Sequence, residues 1–154
     1  MKTFISAVTI AAYLLLFQQA HAQQTNTYDS VLAKKLNADD YGMKTYTLVI
    51  LKKGTANITD KIILDSIFRG HMNNIKRLAS ENKLLIAGPL TENDKNYEGI
   101  FVFNTADINE ARQWLNTDPA IQSKDLDAEI YGWYSTAALQ KVLEIHSTLQ
   151  KQSF

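Results

Sequence analysis

Residues 46–89 decide the fold: YTLVILKKGTANITDKIILDSIFRGHMNNIKRLASENKLLIAGP. The first six, 46–51, are apolar, aromatic or β-branched at every position, the pattern of a strand buried on both faces. Lys52-Lys53-Gly54 ends that run. Thr59 or Asp60 can cap a helix that continues to about Asn82, with Ile63, Leu64, Ile67, Phe68, Ile75 and Leu78 directed inward. Asn82 suits a left-handed stop. Residues 84–87 form a second strand, halted by Gly88-Pro89. The stretch therefore reads as one β-α-β unit.

A second unit follows. Residues 91–97 are a polar loop and 99–103 a third strand. Thr105 or Asp107 caps a second helix carrying Ile108, Ala111, Trp114 and Leu115 inward. Asp118-Pro119 opens a helical turn or loop, and 128–134 is a fourth strand. Ser135 or Thr136 caps a last helix, with Leu139, Val142, Leu143, His146 and Leu149 on one stripe. The fold class is α+β, a ferredoxin-like β-α-β-β-α-β arrangement with an extra C-terminal helix. Four antiparallel strands would carry helices on one face. The other face is apolar too, so a second subunit is the simplest cover and a homodimer is expected.

The ends read differently from the middle. Lys2, the apolar run 4–17 and Ala20-His21-Ala22 fit a signal peptide over residues 1–22, with cleavage before Gln23. The run is short for a membrane span, so no membrane attachment is expected after cleavage. The protein is expected to be exported, periplasmic or secreted. Removing 22 of 154 residues leaves 132, a one-domain length. Residues 23–44 are an N-terminal extension with a short helix over 28–36, residues 45–135 the domain, and 136–154 the C-terminal helix.

The chain has no cysteine, which excludes thiol chemistry and thiolate metal sites. Basic and acidic residues number 16 each and are interspersed. No basic footprint for nucleic acid exists. The expected partners are a small-molecule ligand and a second copy of the chain, with no nucleic acid. Neither a phosphate loop, a nucleophile elbow nor a dinucleotide fingerprint occurs. With two histidines beyond the signal peptide, no metal site and no cofactor are expected.

His71 is the residue most suited to chemistry. Leu64, Phe68, Ile75 and Leu78 lie at helical spacings from it, so the imidazole faces the interior or a pocket mouth. It reads as a general acid or base, or as a core histidine donating to a backbone carbonyl. Asp118 is its candidate partner, and by itself reads as an N-cap before a proline at the first helical position. Gly88 and Pro89 form a structural turn or expose amides to a bound oxyanion. Glu129, Tyr131 and Trp133 alternate onto one face of the last strand, lining a pocket or an interface. Arg69 is a solvated cation or an anion contact. Asp65 faces solvent, and His146 is packing or surface.

Gly70-His71-Met72, Lys83-Leu84-Leu85-Ile86-Ala87-Gly88-Pro89, Glu98-Gly99-Ile100 and Asp118-Pro119 occur together in this order. In these motifs the chain resembles the YCII-related (YciI-like) family, and Ala38-Asp39-Asp40-Tyr41-Gly42-Met43 looks like an extension of its exported members. The resemblance implies a ferredoxin-like fold of the dimeric α+β barrel type. It also implies a pocket with a His-Asp pair, which maps onto His71 and Asp118. A dehydrochlorinase of aromatic catabolism is similar, which implies acid-base elimination chemistry. The expected function is an exported small-molecule enzyme, isomerase- or lyase-like, using His71 and Asp118 as catalytic residues. Arg69, Gly88, Pro89, Tyr131 and Trp133 are the expected substrate-binding residues. The alternative is a non-catalytic dimeric ligand-binding module of the cell envelope.

Overall fold

The computed structural model describes residues 27–152. The signal-peptide reading and the first residues of the extension lie outside that range. Helix α1 (Ser30–Lys35) is capped by Asp29, and β1 (Met43–Lys53) follows. Then come α2 (Lys61–Ser80), β2 (Leu84–Pro89), β3 (Tyr97–Phe103), α3 (Ile108–Leu115) and α4 (Pro119–Gln122). Strand β4 (Leu126–Thr136), a 3-10 turn (Ala137–Lys141) and α5 (Val142–Leu149) follow.

The strands form one antiparallel sheet in the order β2-β3-β1-β4, the ferredoxin-like topology. β1 pairs with β4 over eleven residues without a slip, from Met43↔Thr136 to Lys53↔Leu126. Side chains alternate across the sheet. Val49, Leu51, Leu84, Phe101 and Phe103 pack beneath the helices with Leu78, Ala111 and Leu115. Tyr46, Leu85 and Val102 form a second cluster, joined by Leu48, Ile86 and Trp133.

Local chemistry explains where the helices begin and stop. The Asp60 carboxylate accepts from the Ile62 and Ile63 amides and caps α2, while Asp107 does the same for α3. Asn82 takes φ 54°, the left-handed stop that ends α2.

Several expectations are corrected. α2 enters the core through Ile75 and Leu78 in its second half, while in its first half Ile63 and Phe68 are exposed instead of buried. Ile108, at the first position of α3, is exposed, and the helix enters the core at Ala111 and Leu115. β2 continues through Gly88-Pro89: β2 is an edge strand, where proline lacks no ladder partner on its outer side. The C-terminal helix is preceded by a separate 3-10 turn, which Thr136 caps. Leu149 and His146 are exposed at the far end of α5.

The face away from α2 is covered in part by the chain itself. Leu139 and Leu143 pack onto the Tyr46–Leu85–Val102 cluster. The C-terminal segment thus supplies some of the cover expected from a second subunit. Ile50 and Ile100, further along that face, are only half-buried.

Candidate functional site

One stripe of α2 meets the Thr117-Asp118-Pro119 turn. Gly70, His71, Asn74 and Arg77 recur at the spacing of a helix face. At Gly70 the backbones approach so closely that an added Cβ would stand 2.8 Å from Pro119 Cγ. The neighbouring His71 ring then reaches Asp118. Its Nδ1–H donates to Asp118 Oδ2 at 2.7 Å, the length of a charge-assisted hydrogen bond.

Each partner is held from a second side. Asp118 is fully buried and also accepts from the Ala120 amide at 2.9 Å, as the N-cap of α4. Its two roles, cap and imidazole partner, therefore use different oxygens. The His71 ring lies stacked on Phe101, with centroids 5.9 Å apart and planes at 19°. Phe101 itself packs edge-on to Phe103. The side chain of His71 retains 13% exposure. Its Nε2 has no partner among the described residues and is not sealed within the protein.

That arrangement fixes the proton chemistry. A carboxylate only accepts, so the proton sits on Nδ1 and the Nε2 lone pair is free. A ring locked in this tautomer can take a proton at Nε2 and return it. Phe101 lies against the face of the ring, and the exposed Phe68 stands one turn earlier on α2. No hydroxyl or amine among the described residues bonds the imidazole, so no nucleophile stands against it. No three His, Asp or Glu side chains among the described residues converge to hold a metal ion.

Residues 47–133 match the model of the YCII-related domain, more than half of the chain. The chain belongs to the YCII-related family. A search of curated proteins gave no match. One similar solved structure is the 5-chloro-2-hydroxyhydroquinone dehydrochlorinase of Burkholderia phenoliruptrix AC1100, in complex with 2,5-dihydroxybenzoquinone. It shares 15% identity over 56% of this chain and 92% of that one, with a TM-score of 0.42. At that distance it carries no functional argument.

In this YCII-related protein the other expected site residues do not gather round His71. Pro89 shares the sheet face of Phe101, two register pairs away, and is exposed. Gly88 pairs with Ile100 and belongs to the opposite face. Arg69 is exposed and makes no ion pair among the described residues. It is two residues before His71, about 200° round the helix.

Tyr131 and Trp133 also occupy the face opposite His71. Trp133 packs near Tyr46, with ring centroids 6.5 Å apart. Tyr131 Oη donates to Glu129 Oε2 at 2.9 Å, and Lys52 Nζ to Glu129 Oε1 at 3.3 Å. The Tyr131 hydroxyl first, then Lys52, holds the Glu129 carboxyl below its usual range. The same bond pushes the Tyr131 phenol up. Sequence alternation identified this cluster as one face, but only the sheet register shows that it is the wrong face for the pair.

Four members of the site lie beyond the sequence reading. Phe101 reads simply as a core strand residue. Asn74, Arg77 and Thr117 are not singled out by it, although a polar residue one helical turn after His71 on its buried stripe is a visible signal.

Proposed function

We propose that the protein is a small-molecule acid–base enzyme, isomerase- or lyase-like, in which His71 Nε2 moves the proton and Asp118 orients the ring. The observation that carries this reading is the 2.7 Å bond from His71 Nδ1 to a fully buried Asp118, leaving Nε2 unpartnered and open. Membership of the YCII-related family supports it. Proton transfer by a positioned side chain of this kind contributes about 10²–10⁴-fold in rate. The substrate class is a compact molecule with an apolar or aromatic face, which the exposed Phe68 would contact, and an acidic C–H or O–H presented to Nε2. Isomerisation or elimination fits better than hydrolysis, since neither step needs a nucleophile beside the base.

The test is deuterium incorporation from D₂O into a panel of small cyclic ketones and enols. His71→Ala should lower exchange by about 10²–10⁴-fold, and Asp118→Asn should lower it as well, by no more than that. If both variants exchange as well as the parent, the acid–base reading falls. A loss of stability with no turnover in any form would instead mark the pair as a structural network in a ligand-binding module.

Export and dimerisation belong to the same proposal. The pattern of residues 1–22 supports cleavage before Gln23 and a periplasmic or secreted location. N-terminal sequencing of protein recovered from the envelope checks it. The half-buried Ile50 and Ile100 support a homodimer through the uncovered part of the sheet. A solution mass equal to one chain would rule that out.

A further inference from the structure

We infer that Asn74 and Arg77 are positioning residues for the His71–Asp118 pair and act through Thr117. This rests on reading the pair as the acid–base centre. The contacts run in order along α2. Gly70 meets Pro119, His71 meets Asp118, and one turn later Asn74 and Arg77 meet Thr117.

The bonding has one consistent solution. Arg77 Nη2 donates to Asn74 Oδ1 at 2.7 Å and to Thr117 Oγ1 at 2.8 Å. Its two protons therefore bridge the helix and the turn. Thr117 Oγ1 lies 2.6 Å from the Trp114 carbonyl and 2.9 Å from Asn74 Oδ1, but it has a single proton to give. With Arg77 already serving Asn74, that proton goes to Trp114. The other guanidinium nitrogen, Nη1, donates to Glu81 at 3.0 Å, so Arg77 is held from two directions. Lys83, then Arg77, holds the Glu81 carboxyl below its usual range, which keeps this anchor charged.

Asn74 is 7% exposed, and its Nδ2 has no partner among the described residues. Turning the amide over would not help, because it would set N–H against the guanidinium N–H. The side chain thus leaves a buried donor unpaired in order to present its oxygen to Arg77. A residue selected for burial alone would be apolar at this place on the helix.

The geometric consequence concerns Asp118. The contacts at Gly70 and His71 are neighbours on one turn of α2 and fix the distance of the 117–119 turn from the helix but leave it free to tilt. A third contact one helical turn along removes that freedom. Thr117 is bonded directly to Asp118, so the grip on Thr117 sets where the carboxylate stands against the imidazole.

The experiment is ring ¹⁵N–¹H NMR of His71 in the purified protein, with Asp118→Asn as control. Asn74→Ala and Thr117→Val should each lose the slowly exchanging Nδ1–H resonance and show mixed tautomers. Asn74→Asp keeps an acceptor for Arg77 and should retain the resonance. Thr117 is exposed, so its variant tests the idea even if Asn74→Ala fails to fold. If Thr117→Val keeps the parent resonance while Asp118→Asn loses it, positioning is refuted and the pair reading stands. Loss in Asn74→Asp equal to that in Asn74→Ala also refutes it, since the acceptor then would not matter. If Asp118→Asn itself leaves the resonance unchanged, the pair reading fails as well.

Discussion

Replacing Gly70 by alanine sets two opposing effects against each other. Alanine in place of a helical glycine favours the helix by about 0.8–1.0 kcal/mol. The new methyl would stand 2.8 Å from Pro119 Cγ, where ordinary contact begins at 3.4 Å. Pro119 is a ring fixed beside the Asp118 cap and cannot swing aside as a flexible chain end would. Overpacking of this kind costs about 1–3 kcal/mol. The net cost is therefore about 0–2 kcal/mol, or up to about 8 °C in Tm at roughly 4 °C per kcal/mol for a domain of this size. The chemical effect should be larger than the thermal one. Relieving the clash moves the turn from α2 by about 0.6 Å, taking the His71–Asp118 contact from 2.7 Å to about 3.3 Å, beyond the range of a charge-assisted bond. Thermal unfolding and the Nδ1–H signal of His71, measured on the same sample, check both halves. A rise in Tm of about 4 °C, the full propensity gain, with the signal intact would refute the close-approach argument.

Phe101→Ala should cost about 3–5 kcal/mol, because a fully buried aromatic under the helices is removed along with the floor of the His71 ring. Chemical denaturation measures it, and a loss below about 1 kcal/mol would deny Phe101 its place in the core. Asp118→Ala removes a fully buried acceptor from both the Ala120 amide and the His71 ring, so it should destabilise by about 2–4 kcal/mol, more than Asp118→Asn does. Equal midpoints for the two variants would contradict that ordering. Asp39 gives a pH prediction. The Tyr134 hydroxyl first, then the Met43 and Tyr41 amides, holds its carboxyl below the usual value of 3.8. A lowered folded value means the tie stabilises fully above about pH 4 and is lost as pH falls through that lower value. Amide shifts of Tyr41 and Met43 should move together in that acid window and stay still in Asp39→Asn.

Much of the fold was written in local pattern. The six-residue apolar run at 46–51, the caps Asp60 and Asp107 and the stop at Asn82 set the elements and their order through contacts within a few residues. Periodicity also placed His71 on an interior-facing stripe. It failed at Ile63 and Phe68, because a helix stripe can be apolar along its whole length while only part of it, here Ile75 and Leu78, enters the core. The pairing of His71 with Asp118, 47 positions apart, was legible as a candidate from the expected topology, and the family resemblance pointed the same way.

What the sequence determined by itself is what depends on neighbours along the chain. That includes the strand and helix order, the caps, the alternation of Glu129, Tyr131 and Trp133, and the absence of thiol chemistry. Tertiary structure decided what depends on register and approach. The antiparallel pairing of β4 with β1 sends Tyr131 and Trp133 to the face away from His71. The close passage of Gly70 against Pro119 brings Asp118 to the imidazole and Thr117 to Asn74 and Arg77. A side chain's face on an element is set by the period of the backbone. Which other face it meets is set only when the elements pack.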